Sequence, residues 1–384
     1  MEKNEEQFSK LDTKIIKGLA IVLMLMHHLW AFPKRIGYVK FASLFQFLGR
    51  SSLSIFANFG NICISLFFFV GGYGIYVKSK RDDFNILNNI KKLYIKYWKV
   101  FLVFIPIGFI FFSHQIKYCN ETYIYQVFAN FRWNDVLNNF LGFASSYNYE
   151  WWFFGEYIIA IITFPFIKKL FENKSTVTNL FIIFIMMILT YNIFPVIGEY
   201  GKFKLNENIL YRTIFCQKMP YVSCFWLGIL FAKDNLLIKL RKKINDVVKF
   251  NILIDILGIA IIIYLRQFVI GNILDILYVP FLIVFFLDFI KYFYGLGKTF
   301  KILGNHSANM WLIHTFYCYY FGFFVKIVTF FKSPILCLLV LILLSLGSSV
   351  VVDFLWELIL KGGNTIKKMF SEWLKRREMD TDEA

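Results

Sequence analysis

Long apolar runs recur along the whole chain and constrain its fold more than any other feature. The 384-residue sequence is 58% hydrophobic and only 17% charged, whereas soluble domains carry about 45–50% apolar and about 25% charged residues. Runs of about 20 apolar residues can cross the roughly 30 Å hydrocarbon core of a bilayer as helices. Because a backbone inside lipid must satisfy its own hydrogen bonds, the sequence predicts an all-α, polytopic membrane protein.

The runs predict about ten transmembrane helices. They cover residues 15–33, 55–77, 97–113, 151–167, 178–198, 211–232, 250–265, 269–290, 306–325 and 334–359. We divide the chain into an integral-membrane domain of residues 1–360 and a charged, partly amphipathic cytoplasmic tail of residues 361–384. The polar loop of residues 114–150 is expected to contain a short amphipathic helix.

The distribution of positive charge predicts that both termini are cytoplasmic. With the N-terminus inside, inner segments hold roughly twice as many of the 42 lysines and arginines as outer segments, which follows the positive-inside rule. Basic loops beside anionic lipid also account for the net charge of +17 without a nucleic-acid partner. The richness in Lys, Asn, Ile and Phe is typical of an AT-rich bacterial genome. The chain is expected to be a multi-pass protein of a bacterial plasma membrane.

Two adjacent histidines, His27 and His28, lie inside the first apolar run. Ionisable groups at membrane depth are costly, and they indicate a functional site by default. Histidine is also the side chain best suited to acid–base chemistry near neutral pH. Successive helix positions point about 100° apart, so at most one of the two can face a given cavity. The alternative is a histidine that only hydrogen-bonds to a neighbouring helix for packing.

Cysteine spacing predicts neither a disulfide framework nor a metal site. The six cysteines are scattered along the chain, and none form a CxxC pair. Both structural zinc sites and small disulfide scaffolds need closely spaced or regularly repeated cysteines.

The first apolar run carries a motif that resembles a known family. Lys17, Gly18, Leu19 and Ala20 begin a segment in which Lys17 precedes His28 by eleven residues. This pattern resembles the first helix of the acyltransferase-3 family, integral-membrane O-acyltransferases that modify cell-surface sugars. The family usually has arginine at the position of Lys17, and a lysine does not reproduce the planar fork of arginine.

Two further segments follow in the order that the family has them. Residues 65–74 (SLFFFVGGYG) are similar to the family's second helix, although helix packing through small residues would also explain the glycines. Lys91, Lys92 and Lys96 stand where the family has an arginine-rich segment. A basic loop needs no role beyond topology, and the alternative is a phosphate clamp for coenzyme A.

The start of the fourth predicted span is similar to a tryptophan-rich element of the family. It reads EWWFFGEY over residues 150–157, and it contains Trp152 and Glu156. An interfacial aromatic belt would explain the tryptophans. Glu156 lies more than a turn inside the span, and we expect its carboxylate to need a partner such as His28 or Lys17.

The ninth predicted span carries the last match. Residues 303–314 (LGNHSANMWLIH) resemble the family's segment near the start of that helix. Ser307 is expected to have a structural packing role and could cap the helix, and His314 lies two turns further in. The resemblance covers nearly the whole chain in span count, length and motif order.

The resemblance implies a membrane-embedded O-acyltransferase. Its donor would be acyl-CoA, with acetyl-CoA expected, and its acceptor a hydroxyl of a cell-surface or exported polysaccharide or a lipid-linked sugar. It implies catalytic roles for His28, Glu156 and His314 and donor-binding roles for Lys17, Lys92, Lys96 and Trp152, without a metal.

Several alternatives stay open at this point. His28 could act as a general base, or it could be acylated and relay the group. A transporter or flippase for a glycan or small molecule would also have many helices with buried charges. A third interpretation is a non-catalytic membrane partner in a glycan-assembly complex.

Overall fold

Helices make up almost all of the secondary structure, which confirms the predicted all-α fold. The computed structural model describes residues 8–114, 116–119, 123–200, 220–268 and 272–382, apart from the single positions 38, 40, 42, 44 and 48. Parts of the predicted sixth and eighth spans, 211–219 and 269–271, lie outside the described residues.

The elements are as follows in chain order. The α-helices are α1 (Lys10–Trp30), α2 (Ser52–Gly60), α3 (Ile62–Lys78), α4 (Ile86–Phe111), α5 (Trp133–Phe140), α6 (Trp152–Phe171), α7 (Thr176–Ile188), α8 (Phe194–Tyr200), α9 (Pro220–Asp234), α10 (Leu236–Val248), α11 (Ile252–Leu265), α12 (Asp275–Phe289), α13 (Tyr294–Thr315), α14 (Gly322–Thr329) and α15 (Pro334–Asp382). Short 3-10 segments cover Pro33–Ile36, Tyr149–Trp151 and Ile290–Tyr292, and π-helical segments cover Leu189–Ile193 and Phe316–Tyr320. Two antiparallel hairpins pair β1 (Gln46–Phe47) with β2 (Arg50–Ser51) and β3 (Ile116–Cys119) with β4 (Tyr123–Gln126).

Several helices have the length and apolar character of membrane spans. In the described part of the chain four stretches qualify: α1, residues 52–78, α4 and the first part of α15. Two bent pairs bring the number to six if each pair is one span: α9 with α10, bent by 78°, and the helix that begins at Tyr294 with α14, bent by 91°. The count of about ten spans and the cytoplasmic termini stay predictions.

Two helix boundaries differ clearly from the sequence prediction. α4 begins eleven residues before the predicted start at residue 97, because the side chain of Asn85 accepts hydrogen bonds from the backbone of Leu87 and Asn88. α15 continues as one helix to Asp382, across the predicted domain boundary at residue 360. The short amphipathic helix expected in the loop of residues 114–150 is present as α5.

The ninth predicted span has a different shape from the straight helix expected over residues 306–325. α13 starts at Tyr294, passes into the π-helical segment, and the chain then turns at Phe321 into α14. Ser307 does not cap this helix, because it lies inside α13 and its hydroxyl donates to the carbonyl of Gly304 at 2.9 Å.

Two glycines let α1 and α13 approach more closely than any larger residue would permit. A Cβ atom on Gly18 would lie 2.0 Å from the carbonyl oxygen of Phe300, and one on Gly304 would lie 1.8 Å from that of Lys14. Small residues at a helix crossing let two backbones touch inside a membrane. His28 and His314 each lie ten residues beyond these contacts, so the crossing sets both at the same level.

The Gly71-Gly72 pair has two separate packing roles. A Cβ atom on Gly72 would meet the carbonyl oxygen of Phe225 at 2.0 Å, so α3 and α9 also cross at close range. Gly71 instead faces the hydroxyl of Tyr157, which a Cβ atom would approach to 2.3 Å. Packing through small residues, offered as one explanation of these glycines, is therefore what the structure shows.

Candidate functional site

Two of the predicted site residues, His28 and His314, lie side by side. Their ring centroids are 5.0 Å apart. His314 is fully buried, and His28 is half-buried. His27 points elsewhere, with its Nδ1 atom 2.7 Å from the carbonyl oxygen of Ala57. The adjacent histidines thus have different neighbours: His28 lies against His314, whereas His27 contacts α2.

The ring of His314 is anchored to its own helix. Its Nδ1 atom lies 2.7 Å from the carbonyl oxygen of Trp311 and 3.2 Å from that of Met310. A carbonyl oxygen only accepts hydrogen bonds, so Nδ1 carries the hydrogen and the lone pair of the neutral ring is on Nε2. This Nε2 atom is buried and has no hydrogen-bond partner among the described residues. A buried hydrogen-bond acceptor without a partner is costly. This nitrogen can accept a hydrogen bond from a hydroxyl group of a ligand.

Tyr319 holds the ring of His28. The tyrosine hydroxyl donates to the backbone carbonyl of His28 at 2.5 Å and lies 3.2 Å from the Nδ1 atom of the same residue. Since its single hydrogen is used on the carbonyl, the hydroxyl oxygen accepts from Nδ1–H. The lone pair of a neutral His28 ring is then also on Nε2, which is the atom that a general base would use.

An ion pair stands next to this tyrosine. An Nη2 atom of Arg35 lies 2.5 Å from Oε1 of Glu150, and the Tyr320 hydroxyl donates to the other oxygen of Glu150 at 3.1 Å. The guanidinium carbon of Arg35 is 3.9 Å from the centroid of the Tyr319 ring. Burial disfavours the charge of Arg35, but the carboxylate of Glu150 raises the pKa of Arg35 above its usual range, so the group stays charged.

Sequence reasoning did not select Arg35, Tyr319 or Tyr320 as site residues. Arg35 lies in a short loop just outside the first apolar run, and the two tyrosines belong to a run of aromatic residues. None of these three residues has a local sequence signal of function, because their importance depends on which helices meet. A carboxylate at the edge of a span, such as Glu150, is the one feature that could have drawn attention to this region.

A cavity of about 510 Å³ lies beside Lys17 in the first half of α1, whereas the ion pair lies beyond the other end of this helix. Among the described residues, five lysines and no carboxylate line the cavity; the lysines are Lys17, Lys78, Lys92, Lys96 and Lys99. Aromatic and apolar side chains line the rest of the wall, among them Phe67, Phe153 and Trp311. The structure thus brings together Lys17, Lys92 and Lys96, the three lysines predicted to bind a donor.

One helical turn separates this cavity from His314. Trp311 lines the cavity, and its backbone carbonyl accepts the hydrogen bond from the His314 ring. Its indole packs edge-on against Phe153 with ring centroids 5.0 Å apart. Trp311 therefore connects the lining of the cationic cavity to the ring of His314.

Two predicted site residues lie away from this cavity. Glu156 is buried on α6, but neither a hydrogen bond nor a salt bridge joins it to His28 or Lys17, the partners expected for it, in the described residues. Trp152 packs near Tyr221 with ring centroids 6.2 Å apart and does not line the cavity. Roles for Glu156 in catalysis and for Trp152 in donor binding stay predictions.

The other acidic residues in the apolar runs mostly form ion pairs. Asp275 pairs with Arg266 at 2.8 Å, Asp288 with Arg241 at 2.7 Å, and Asp353 with Lys99 at 2.9 Å. Within the described part of the chain, no group of three or more His, Cys, Asp or Glu residues could hold a metal ion. These acids therefore have structural partners and lie outside the histidine site.

Comparison with known proteins adds one finding. A family model described as "Acyltransferase domain" matches residues 11–354. Comparison with curated proteins and with solved structures returned no match. The matched range includes the histidine pair, the Arg35–Glu150 ion pair and the lysine-lined cavity.

Proposed function

Since this chain belongs to the acyltransferase-3 family, a family of membrane acyltransferases, we propose that it moves an acyl group from cytoplasmic acyl-CoA to a sugar hydroxyl. The acceptor would be a cell-surface or exported polysaccharide or a lipid-linked sugar, the acyl group acetyl, and the site of action a bacterial plasma membrane. One observation carries the proposal: a cavity lined by five lysines ends one helical turn from a pair of histidines.

The cavity has the charge that an acyl-CoA donor needs. Coenzyme A carries several negative phosphate charges, and lysine ammonium groups bind phosphate as point charges. Lys99 is already paired with Asp353, whereas Lys17 makes no hydrogen bond or salt bridge within the described residues. The apolar and aromatic inner part of the cavity suits the pantetheine arm and a short acyl chain.

Lys17 lies too far from His28 along α1 to act on the same atoms. Eleven residues of helix place His28 about 16–17 Å beyond Lys17. A donor held by its phosphates at the lysines would extend toward the histidines with its thioester foremost. Lys17 therefore fits the binding of the donor better than the stabilisation of a tetrahedral intermediate beside His28.

His28 is the candidate general base in this mechanism. Its Nε2 atom would take the proton from the acceptor hydroxyl as the oxygen attacks the thioester carbonyl, and the carbon–sulfur bond would then break. The thiolate of coenzyme A would leave and recover a proton from the His28 imidazolium. The relay in which Nε2 of His28 itself attacks the thioester and then passes the acyl group to the sugar uses the same lone pair.

His314 would hold the acceptor. Its Nε2 atom can only accept a hydrogen bond, and it lies beside His28 in a fully buried position. A sugar hydroxyl that donates to this atom would be held next to the base. Positioning of this kind supplies a large part of the rate enhancement in acyl transfer.

The test measures transfer of labelled acetyl from acetyl-CoA to surface glycan in membranes that contain the protein. We expect an alkali-labile label with the wild type and none with His28→Ala, while both proteins insert to the same level. His27→Asn is the matched control, because it changes the adjacent histidine but keeps an amide donor near Nδ1 for the Ala57 carbonyl. Equal labelling by wild type and His28→Ala would contradict the role of His28. A wild type inactive with both acetyl-CoA and succinyl-CoA would contradict the proposed function.

A further inference from the structure

The ion pair between Arg35 and Glu150 has no role in the mechanism above. It lies on the side of the histidines away from the lysine-lined cavity, and neither residue lines that cavity. We infer that Arg35 and Glu150 are positioning residues, which hold Tyr319 so that its hydroxyl fixes the ring of His28 with the Nε2 lone pair available for catalysis. This inference rests on the proposed function.

Four separate chain segments meet at this ion pair. Arg35 comes from the 3-10 segment after α1, Glu150 from the segment before α6, and Tyr319 from the π-helical segment after α13. His28, on α1, is the residue that they surround. These segments come from different parts of the chain, so side-chain contacts join them at this point.

Glu150 is the centre of these contacts. Its carboxylate accepts from Arg35 and from the hydroxyl of Tyr320, and the hydroxyl of Tyr320 in turn accepts from the backbone N–H of Tyr149 at 2.8 Å. The preceding residue, Asn148, donates to the hydroxyl of Thr315, which directly follows His314. The segment that carries Glu150 is therefore hydrogen-bonded both to Thr315, next to His314, and to Tyr320, next to Tyr319.

The flat guanidinium of Arg35 connects this carboxylate to the tyrosine. It lies 3.9 Å from the centroid of the Tyr319 ring, a stacking contact that the compact ammonium group of lysine does not reproduce. The Tyr319 hydroxyl then makes two contacts with His28, one with Nδ1 and one with the backbone carbonyl. Without this tyrosine, a neutral imidazole can carry its hydrogen on either nitrogen, and only one tautomer has its lone pair on Nε2.

The burial of the Arg35–Glu150 ion pair indicates that it fixes the positions of its neighbours and adds little net stability. The side chains of Arg35 and Glu150 are 15% and 4% exposed. Desolvation makes such a pair a weak source of net stability, because it removes two charges from water. Removing one partner leaves the other charge buried and unpaired, so a test must use substitutions that keep the pair nearly intact.

Tyr319→Phe is the central variant, because it removes one hydroxyl and keeps the ring beneath Arg35. We expect kcat for acyl transfer to fall by about 10- to 100-fold, a part of the contribution of a general base, with KM for acyl-CoA unchanged. Arg35→Lys keeps the charge opposite Glu150 and is expected to lower kcat in the same way. The matched control is Tyr317→Phe, which removes a hydroxyl in the same π-helical segment that bonds to Ser348 instead. Its kcat is expected to stay close to that of the wild type.

A double variant tests whether Arg35 acts through the tyrosine. If the two residues belong to one path to His28, the double variant Arg35→Lys/Tyr319→Phe loses no more kcat than the more damaging single change. Multiplicative losses would overturn the inference, as would a rise in KM without a fall in kcat. An active wild type with an unaffected Tyr319→Phe variant would overturn the inference and leave the proposed function standing. An inactive wild type would overturn both.

Discussion

The rings of His28 and His314 lie 5.0 Å apart because α1 and α13 touch at two glycines ten residues earlier. Gly18 and Gly304 remove the side chains that would otherwise keep these helices apart, and each helix then rises by the same number of residues to its histidine. The close crossing at two glycines and the histidine pair are thus parts of one arrangement.

Gly304→Ala should separate the histidines. The new methyl group would lie 1.8 Å from the carbonyl oxygen of Lys14, a backbone atom that cannot move aside cheaply. We expect a loss of stability of about 1–3 kcal/mol and a larger loss of acyl transfer, because the crossing also sets the site. Thermal unfolding in detergent and transfer of labelled acetyl would measure the two effects. Gly347→Ala on α15 is the control, since a Cβ atom there meets nothing within 4 Å; a similar loss in both variants would contradict the prediction.

Two replacements of His314 separate its anchoring role from its acceptor role. Asparagine places an amide near Nδ1 and keeps a donor for the Trp311 carbonyl, whereas glutamine can place an oxygen near Nε2. If the Nε2 lone pair holds the acceptor hydroxyl, His314→Gln retains more activity than His314→Asn. Initial rates of transfer at saturating donor provide the measurement. The reverse order would show that the hydrogen bond from Nδ1 to the Trp311 carbonyl matters more than the Nε2 lone pair.

Neutralising the lysines of the cavity should weaken donor binding. Lys17→Met and the double variant Lys92→Gln/Lys96→Gln are expected to raise KM for acyl-CoA by about three- to tenfold per lysine, on the order of 1 kcal/mol each, with little change in kcat. The effect should shrink as ionic strength rises, because salt screens exposed charges. Lys91→Gln is the control, since this exposed neighbour does not line the cavity. An unchanged KM in the double variant would argue against donor binding in this cavity.

Replacing Trp311, which lines the cavity one turn before His314, should change which acyl chain length is preferred. Trp311→Leu enlarges the inner end of the cavity and removes the edge-on contact with Phe153. We expect the ratio of kcat/KM for butyryl-CoA to that for acetyl-CoA to rise, at a cost in stability below the roughly 3–5 kcal/mol typical of Trp→Ala. Trp98→Leu, outside the cavity, is the control. An unchanged ratio in Trp311→Leu would show that Trp311 does not limit the acyl chain.

Local features of the chain led directly to the fold class and to part of the site. Apolar length is a property of a segment by itself, so the all-α membrane fold could be predicted from it. Lys17, His28 and His314 stand out because a charged or titratable group within an apolar run is costly wherever the run packs. The prediction for Glu156 used the same reasoning. Its partners, however, depend on how the helices pack, and the structure places Glu156 outside the lysine-lined cavity.

The sequence by itself determined which segments become apolar helices and which polar groups they must carry into the membrane. Only the tertiary structure decided that His28 meets His314, that Arg35 meets Glu150, and that the π-helical segment after His314 places Tyr319 against His28. These relationships join segments far apart in the chain. They depend on side-chain volumes at helix crossings, such as the missing Cβ atoms of Gly18 and Gly304, which no local pattern encodes.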